Sequence, residues 1–176
     1  LGTVHVGINP TSAVKLGSSL YVLCSGYTDW SGGGADRSAA LVRVDLATRS
    51  VTATYPAVYP SDRPTKLHTD GQVLYWIRDG YTGDVLRMNP DGTGQMVFYG
   101  NMSPGTLMID AKPIPGTDEI LSIFSPGHGA REHAGAVTIV NVKRGPNHAP
   151  SAQRITKGNH FRDPYPLNSN AFLVAT

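Results

Sequence analysis

Cys24 is the single cysteine among 176 residues. An internal disulfide is therefore impossible, and zinc sites built from paired cysteines are excluded. Long apolar runs are missing too. Nothing approaches the roughly 18 consecutive apolar residues of a membrane helix, and no signal-peptide pattern opens the chain. Charge is sparse, with charged residues at 16% and a formal net charge of +2. The nearest approach to a basic cluster is Lys143-Arg144, in an apparent turn, so no nucleic-acid partner is expected. No segment sustains an apolar helical period between caps. No Gly-x-Ser-x-Gly elbow is present, and Gly32-Gly33-Gly34 is not followed by the Gly-Lys-Ser/Thr of a phosphate loop.

The sequence is rich instead in turn formers, with 20 glycines and 13 prolines spread between short apolar runs. This is the punctuation of strands and turns. Cys24 closes one such run, Leu20-Tyr21-Val22-Leu23-Cys24, where a buried, inert thiol is expected.

The runs recur in a fixed order. From 13 to 56, Ala13-Val14-Lys15-Leu16 precedes a turn, then the run at Leu20, a glycine-rich loop, Ala40 to Leu46, another turn and Val51 to Tyr55. From 64 to 100 the order repeats: Pro64 to Leu67, the turn Asp70-Gly71, Val73 to Ile77, Asp84 to Met88, the turn Asn89-Pro90-Asp91-Gly92 and Gln95 to Tyr99. A third block spans 107 to 157, and a fourth, 162 to 176, stops after two strands. Four strands per block, at a period of roughly 45–55 residues, predicts an all-β protein built as a β-propeller of four-stranded antiparallel blades. Radial stacking would cover both apolar faces of each sheet and leave only short edges. The blocks amount to about three and a half blades, whereas closed rings usually hold about 4–8. The chain also opens on Leu1-Gly2-Thr3-Val4 without a methionine. Residues 1–176 are accordingly expected to be part of a larger ring.

In the later blocks particular residues match a known pattern. They are Asp110-Ala111-Lys112-Pro113-Ile114-Pro115-Gly116-Thr117, Ser125-Pro126-Gly127-His128-Gly129, Gly135-Ala136-Val137-Thr138-Ile139-Val140 and Phe161-Arg162-Asp163-Pro164-Tyr165-Pro166-Leu167. They resemble the TolB-type (PD40-like) propeller domains of large bacterial proteins, in particular the middle domain of the hydrazine synthase alpha subunit and its relatives. The resemblance covers roughly the last 70 residues; before that only the general blade order is shared. It implies an exported, periplasmic or extracellular, multidomain protein in which this segment is a scaffold or a binding module. Its partners would be the rest of the parent protein, another subunit, a small polar ligand or a glycan. The relatives' haem c attachment, Cys-x-x-Cys-His, is absent here.

Three groups of side chains are candidates for chemistry. In the loop from Ser125 to His133, His128 and His133 could converge on a metal, with a third ligand from Asp110, Glu132 or His160, since imidazole is the commonest metal-binding side chain. That arrangement would make a metal-dependent enzyme; hydrogen-bonded histidines organising the loop are the structural alternative. Arg162 and Asp163 open a proline-rich strand expected to be innermost, and would either bind a ligand or pair with neighbouring blades. Tyr27 and Trp30, in the long insertion from Gly26 to Arg37, could stack on a sugar or a peptide. Asp29 and Asp36 match no EF-hand spacing. No catalytic residue is assigned, and the identity of any cofactor stays open.

Overall fold

The computed structural model describes residues 2–26, 38–57, 63–78, 84–99, 107–126 and 133–176. Its strands follow the block order of the sequence. The first sheet contains β1 (Pro10–Leu16), β2 (Ser19–Cys24), β3 (Ala40–Asp45) and β4 (Ser50–Pro56). The second contains β5 (Thr65–Thr69), β6 (Leu74–Ile77), β7 (Val85–Met88) and β8 (Met96–Tyr99). The third contains β9 (Leu107–Pro113), β10 (Glu119–Ser125), β11 (Ala136–Asn141) and β12 (Ala152–Arg154). The last has two strands, β13 (Arg162–Asn168) and β14 (Ala171–Ala175). In every sheet each strand pairs antiparallel with the next in sequence. One short 3-10 helix, Ala149–Ser151, follows a turn and was not foreseen; Pro150 sits in its first turn, where a missing N–H does no harm.

The hairpin turns use the residues the chain supplies. Gly71 and Gly116 take left-handed φ of 95° and 76°, values that side chains disfavour. In the first of these turns, Asp70 accepts hydrogen bonds from the backbone of Gln72 and Val73 at 2.8 and 2.7 Å and from the Tyr75 hydroxyl at 2.9 Å.

Strand alternation decides how the sheets pack. On β2, Tyr21 and Leu23 face the second sheet, joining Leu67, Leu74, Trp76, Leu86 and Met88 in one core cluster. The intervening Val22 and Cys24 face the other way, where Val4 and Val6 of the amino-terminal segment pack against them. On β6, Leu74 and Trp76 look back to the first sheet, while Tyr75 and Ile77 look forward to Met108, Ile120 and Val140 of the third. On β10, Leu121 and Ile123 join Phe172 and Val174 of β14. The second strand of each complete sheet is thus buried on both faces, which explains its unbroken apolar run. Cys24 is a free, buried thiol whose pKa is pushed up by burial, in line with the inert role expected of it.

The sheets therefore stack face to face in chain order. The main backbone approaches between successive sheets involve the first strand of the later sheet, which lies against the first two strands of the earlier one: β5 against β1 and β2, β9 against β5 and β6, and β13 against β9 and β10. The first strands of successive sheets thus lie beside one another. Asymmetric docking helps at the outer side of the first pair. Tyr21 and Tyr55 donate to the carbonyl of Pro90 at 2.8 and 3.4 Å, and Gln95 donates to the carbonyl of Pro56 at 3.1 Å.

Candidate polar site on the converging first strands

Three of the converging strands carry the same irregularity. In β5, Lys66 and Leu67 together lie between the pairs Thr65–Ile77 and His68–Tyr75. In β9, Asp110 and Ala111 lie between the pairs made by Ile109 and Lys112. In β13, Asp163 and Pro164 lie between the pairs made by Arg162 and Tyr165. Each is a β-bulge in which two residues oppose one. The first bulge residue is left-handed every time, with φ of 59° at Lys66, 53° at Asp110 and 45° at Asp163. The second is buried: Leu67, Ala111 or Pro164. The apolar residue anchors the bulge in the core, and the left-handed turn before it sets a charged residue at the strand edge.

These charged residues and their neighbours link the sheets. The Thr11 hydroxyl donates to the Pro64 carbonyl at 2.9 Å, and the Leu67 amide donates to the Ser12 hydroxyl at 3.0 Å. The Lys66 ammonium lies 2.8 Å from Oδ1 of Asp110. That approach falls outside hydrogen-bonding angles, so Oδ1, which is buried, is held by charge and receives no directional donor. Two residues beyond Lys66, His68 is half-buried and its Nε2 is buried without a hydrogen-bond partner. Burial pushes its pKa down to about 4; Lys112 and Lys66 push the same way and Asp110 opposes them. Lys112 is half-buried and its ammonium pKa is also lowered, first by burial and further by Lys66, with Asp110 and Asp163 opposing. Lys66, His68, Asp110, Lys112 and Asp163 therefore form one electrostatically coupled strip across three strands.

The residues expected from the sequence fare unequally. Arg162 and Asp163 open β13, as anticipated for a first strand, and both are exposed. Among the described residues neither forms an ion pair, which was one of the two roles expected of them. Pro164 and Pro166 are buried on a strand whose other edge carries no partner within its sheet, the place where a sheet tolerates proline. His133 is exposed with a left-handed φ of 64°. The His160 ring stacks on Phe161, with centroids 4.3 Å apart. Asp110 belongs to the strip instead. Among the described residues, no three His, Cys, Asp or Glu side chains come together as a metal site. His128, Glu132, Tyr27, Trp30, Asp29 and Asp36 lie outside the described residues. No described helix is long and apolar enough to cross a membrane.

Lys66, His68 and Lys112 escaped the sequence reading. The available signal was a charged residue followed by an apolar one at the same place in successive first strands: Lys66-Leu67, Asp110-Ala111 and Asp163-Pro164. No protein-family model matches the chain, and no curated protein is similar to it.

Proposed function

We propose that the chain is a propeller-type module, part of a larger ring, that serves as a scaffold or binds a small polar ligand through the strip on its first strands. The convergence of the first strands supports the radial arrangement, because blades of a propeller meet at their innermost strands. The binding reading rests on the strip itself. Five coupled ionisable groups, among them a half-buried lysine with no ion-pair partner among the described residues, gather where a ring would have its centre. Charge kept partly out of water without compensation is unfavourable for folding alone, and a polar ligand would offset that loss. The resemblance of the later blocks to TolB-type domains agrees with this reading and adds an exported multidomain parent.

A thermal-shift screen with amino acids, hydroxy acids, sugars and nucleotides tests it, since a ligand at about 100 times its Kd stabilises by about 2.7 kcal/mol. A shift that disappears in Lys112→Met places binding on the strip. No shift from any compound removes the binding reading and leaves a scaffold.

A further inference from the structure

The third sheet fills the face it turns toward the second less completely than the second sheet fills the face it turns toward the first. Two residues beyond Leu74, the second sheet places the cross-strand pair Trp76–Leu86 against the first. Two residues beyond Ile120, the third sheet has Ser122–Thr138 at the same place, followed by Phe124–Ala136. Small side chains on β11 and Ala152 on β12 leave space there, and a cleft of about 330 Å³ results. That volume lies at the small end of the range for ligand sites. Ala136 and Thr138 are buried at its floor, Phe124 and Ala152 line it partly buried, and Arg154 and Asn159 stand exposed at its rim.

The rim carries a fixed cation. Arg154 pairs directly opposite Thr138, so both side chains stand on the cleft face. Its Nε donates to the Thr156 carbonyl at 2.7 Å, and its Nη2 donates to the Gly158 carbonyl at 3.0 Å and to Oδ1 of Asn159 at 2.8 Å. Nη1 has no hydrogen-bond or ion-pair partner among the described residues. With Oδ1 of Asn159 taken, the amide Nδ2 beside it remains as a second donor. Among the described residues no acidic side chain lines the cleft. We propose that this cleft binds a small organic carboxylate, its oxygens on Nη1 of Arg154 and Nδ2 of Asn159 and its apolar body against Phe124, Ala136 and Ala152. The guanidinium is already held by three hydrogen bonds, so ordering it on binding costs little. The apolar lining selects an anion with an apolar body over an inorganic one, which would leave that surface wet. The site belongs to β10, β11 and β12 and is independent of the strip on β5, β9 and β13.

Benzoate tests it, titrated into the whole chain by NMR, with benzyl alcohol as the neutral counterpart and inorganic phosphate as an anion without an apolar body. Benzoate is expected to bind about tenfold more tightly than either, because a charge-assisted hydrogen bond and the apolar contact are each worth about that factor. The methyl signals of Ala136 and Ala152 and the Nε–H signal of Arg154 should shift together as it is added. Arg154→Met should weaken benzoate about tenfold, but it also unties the segment that holds Asn159. Thr138→Leu is the second variant: it gives the third sheet the leucine that the second has at Leu86, fills the cleft and leaves the arginine in place. It should abolish benzoate binding, whereas Lys112→Met should leave it unchanged. Benzyl alcohol or phosphate binding as tightly as benzoate overturns the proposal. So does benzoate binding that leaves the Ala136 and Ala152 methyls unmoved or that survives Thr138→Leu, and so does no binding at millimolar benzoate.

Discussion

The Lys66 ammonium stands 2.8 Å from Oδ1 of Asp110 and ties the bulge of β5 to the bulge of β9. The partners are unequal, with side-chain exposures of 54% for Lys66 and 6% for Asp110. Water screens the lysine, so the coupling belongs with exposed pairs, about 0.5–1 kcal/mol. A double-mutant cycle with Lys66→Ala and Asp110→Ala, followed by urea unfolding, should return a coupling of that size. It should shrink at about 1 M salt, where screening is short-ranged. A coupling indifferent to salt would mean that the two side chains interact by packing instead.

Lys66 pays for its position in backbone strain. A left-handed lysine lies about 1–2 kcal/mol above its preferred conformation, a penalty that glycine escapes. Lys66→Gly should therefore be more stable than Lys66→Ala by roughly 1 kcal/mol in the same urea series, although both lose the charge. The opposite order would show that the bulge at φ 59° is not strained.

Gly92 is the residue on which the first two sheets are least forgiving. It takes φ 90°, and a Cβ built there would overlap the Tyr55 ring. Gly92→Ala combines a disfavoured backbone with a ring that must move, and should lose about 2 kcal/mol or more. For a chain of this size that is a fall in Tm of about 4–8 °C. Adding Tyr55→Ala should recover the steric part and leave the backbone part, which separates the two causes in one calorimetric comparison.

His68 gives the fold a dependence on acid. Its pKa falls from the ordinary 6.5 to about 4 in the folded protein. Between those values the unfolded chain takes up a proton that the native state refuses, so this group's contribution to stability is complete above about pH 6.5. It declines as pH falls toward about 4 and changes no further below that, a loss on the order of a few kcal/mol. Urea unfolding at pH 7, 5.5 and 4 should show a shallower decline in His68→Gln than in the parent. Parallel declines would place the acid sensitivity on the carboxylates.

Much of the fold was legible because each strand answers to two sides. The run from Leu20 to Cys24 is apolar throughout because Tyr21 and Leu23 face one sheet while Val22 and Cys24 face the other. The turns at Gly71 and Gly116 announce themselves through residues that φ requires. The bulges were hidden for the opposite reason. Lys66, Asp110 and Asp163 occupy conformations that favour glycine, and nothing in Thr65-Lys66-Leu67-His68-Thr69 distinguishes a charged strip from an ordinary solvated strand. Arg162 and Asp163 stood out because prolines follow them. Lys66, His68 and Lys112 gain their character only when three strands from different parts of the chain converge, and that information is tertiary.

Convergence of the first strands is the claim on which the radial arrangement and the strip both depend. Spin labels on introduced cysteines test it most directly, since the native Cys24 is buried and inaccessible to labelling. One pair is Ala13 on β1 with Thr65 on β5; the other is Val51 on β4 with Met96 on β8. The first pair should be strongly broadened by dipolar coupling, because those strands approach within 8 Å between Cα atoms, and the second pair should lie clearly farther apart. Equal separations at both ends would mean parallel layers about 10 Å apart, as in a sandwich, and would contradict the account.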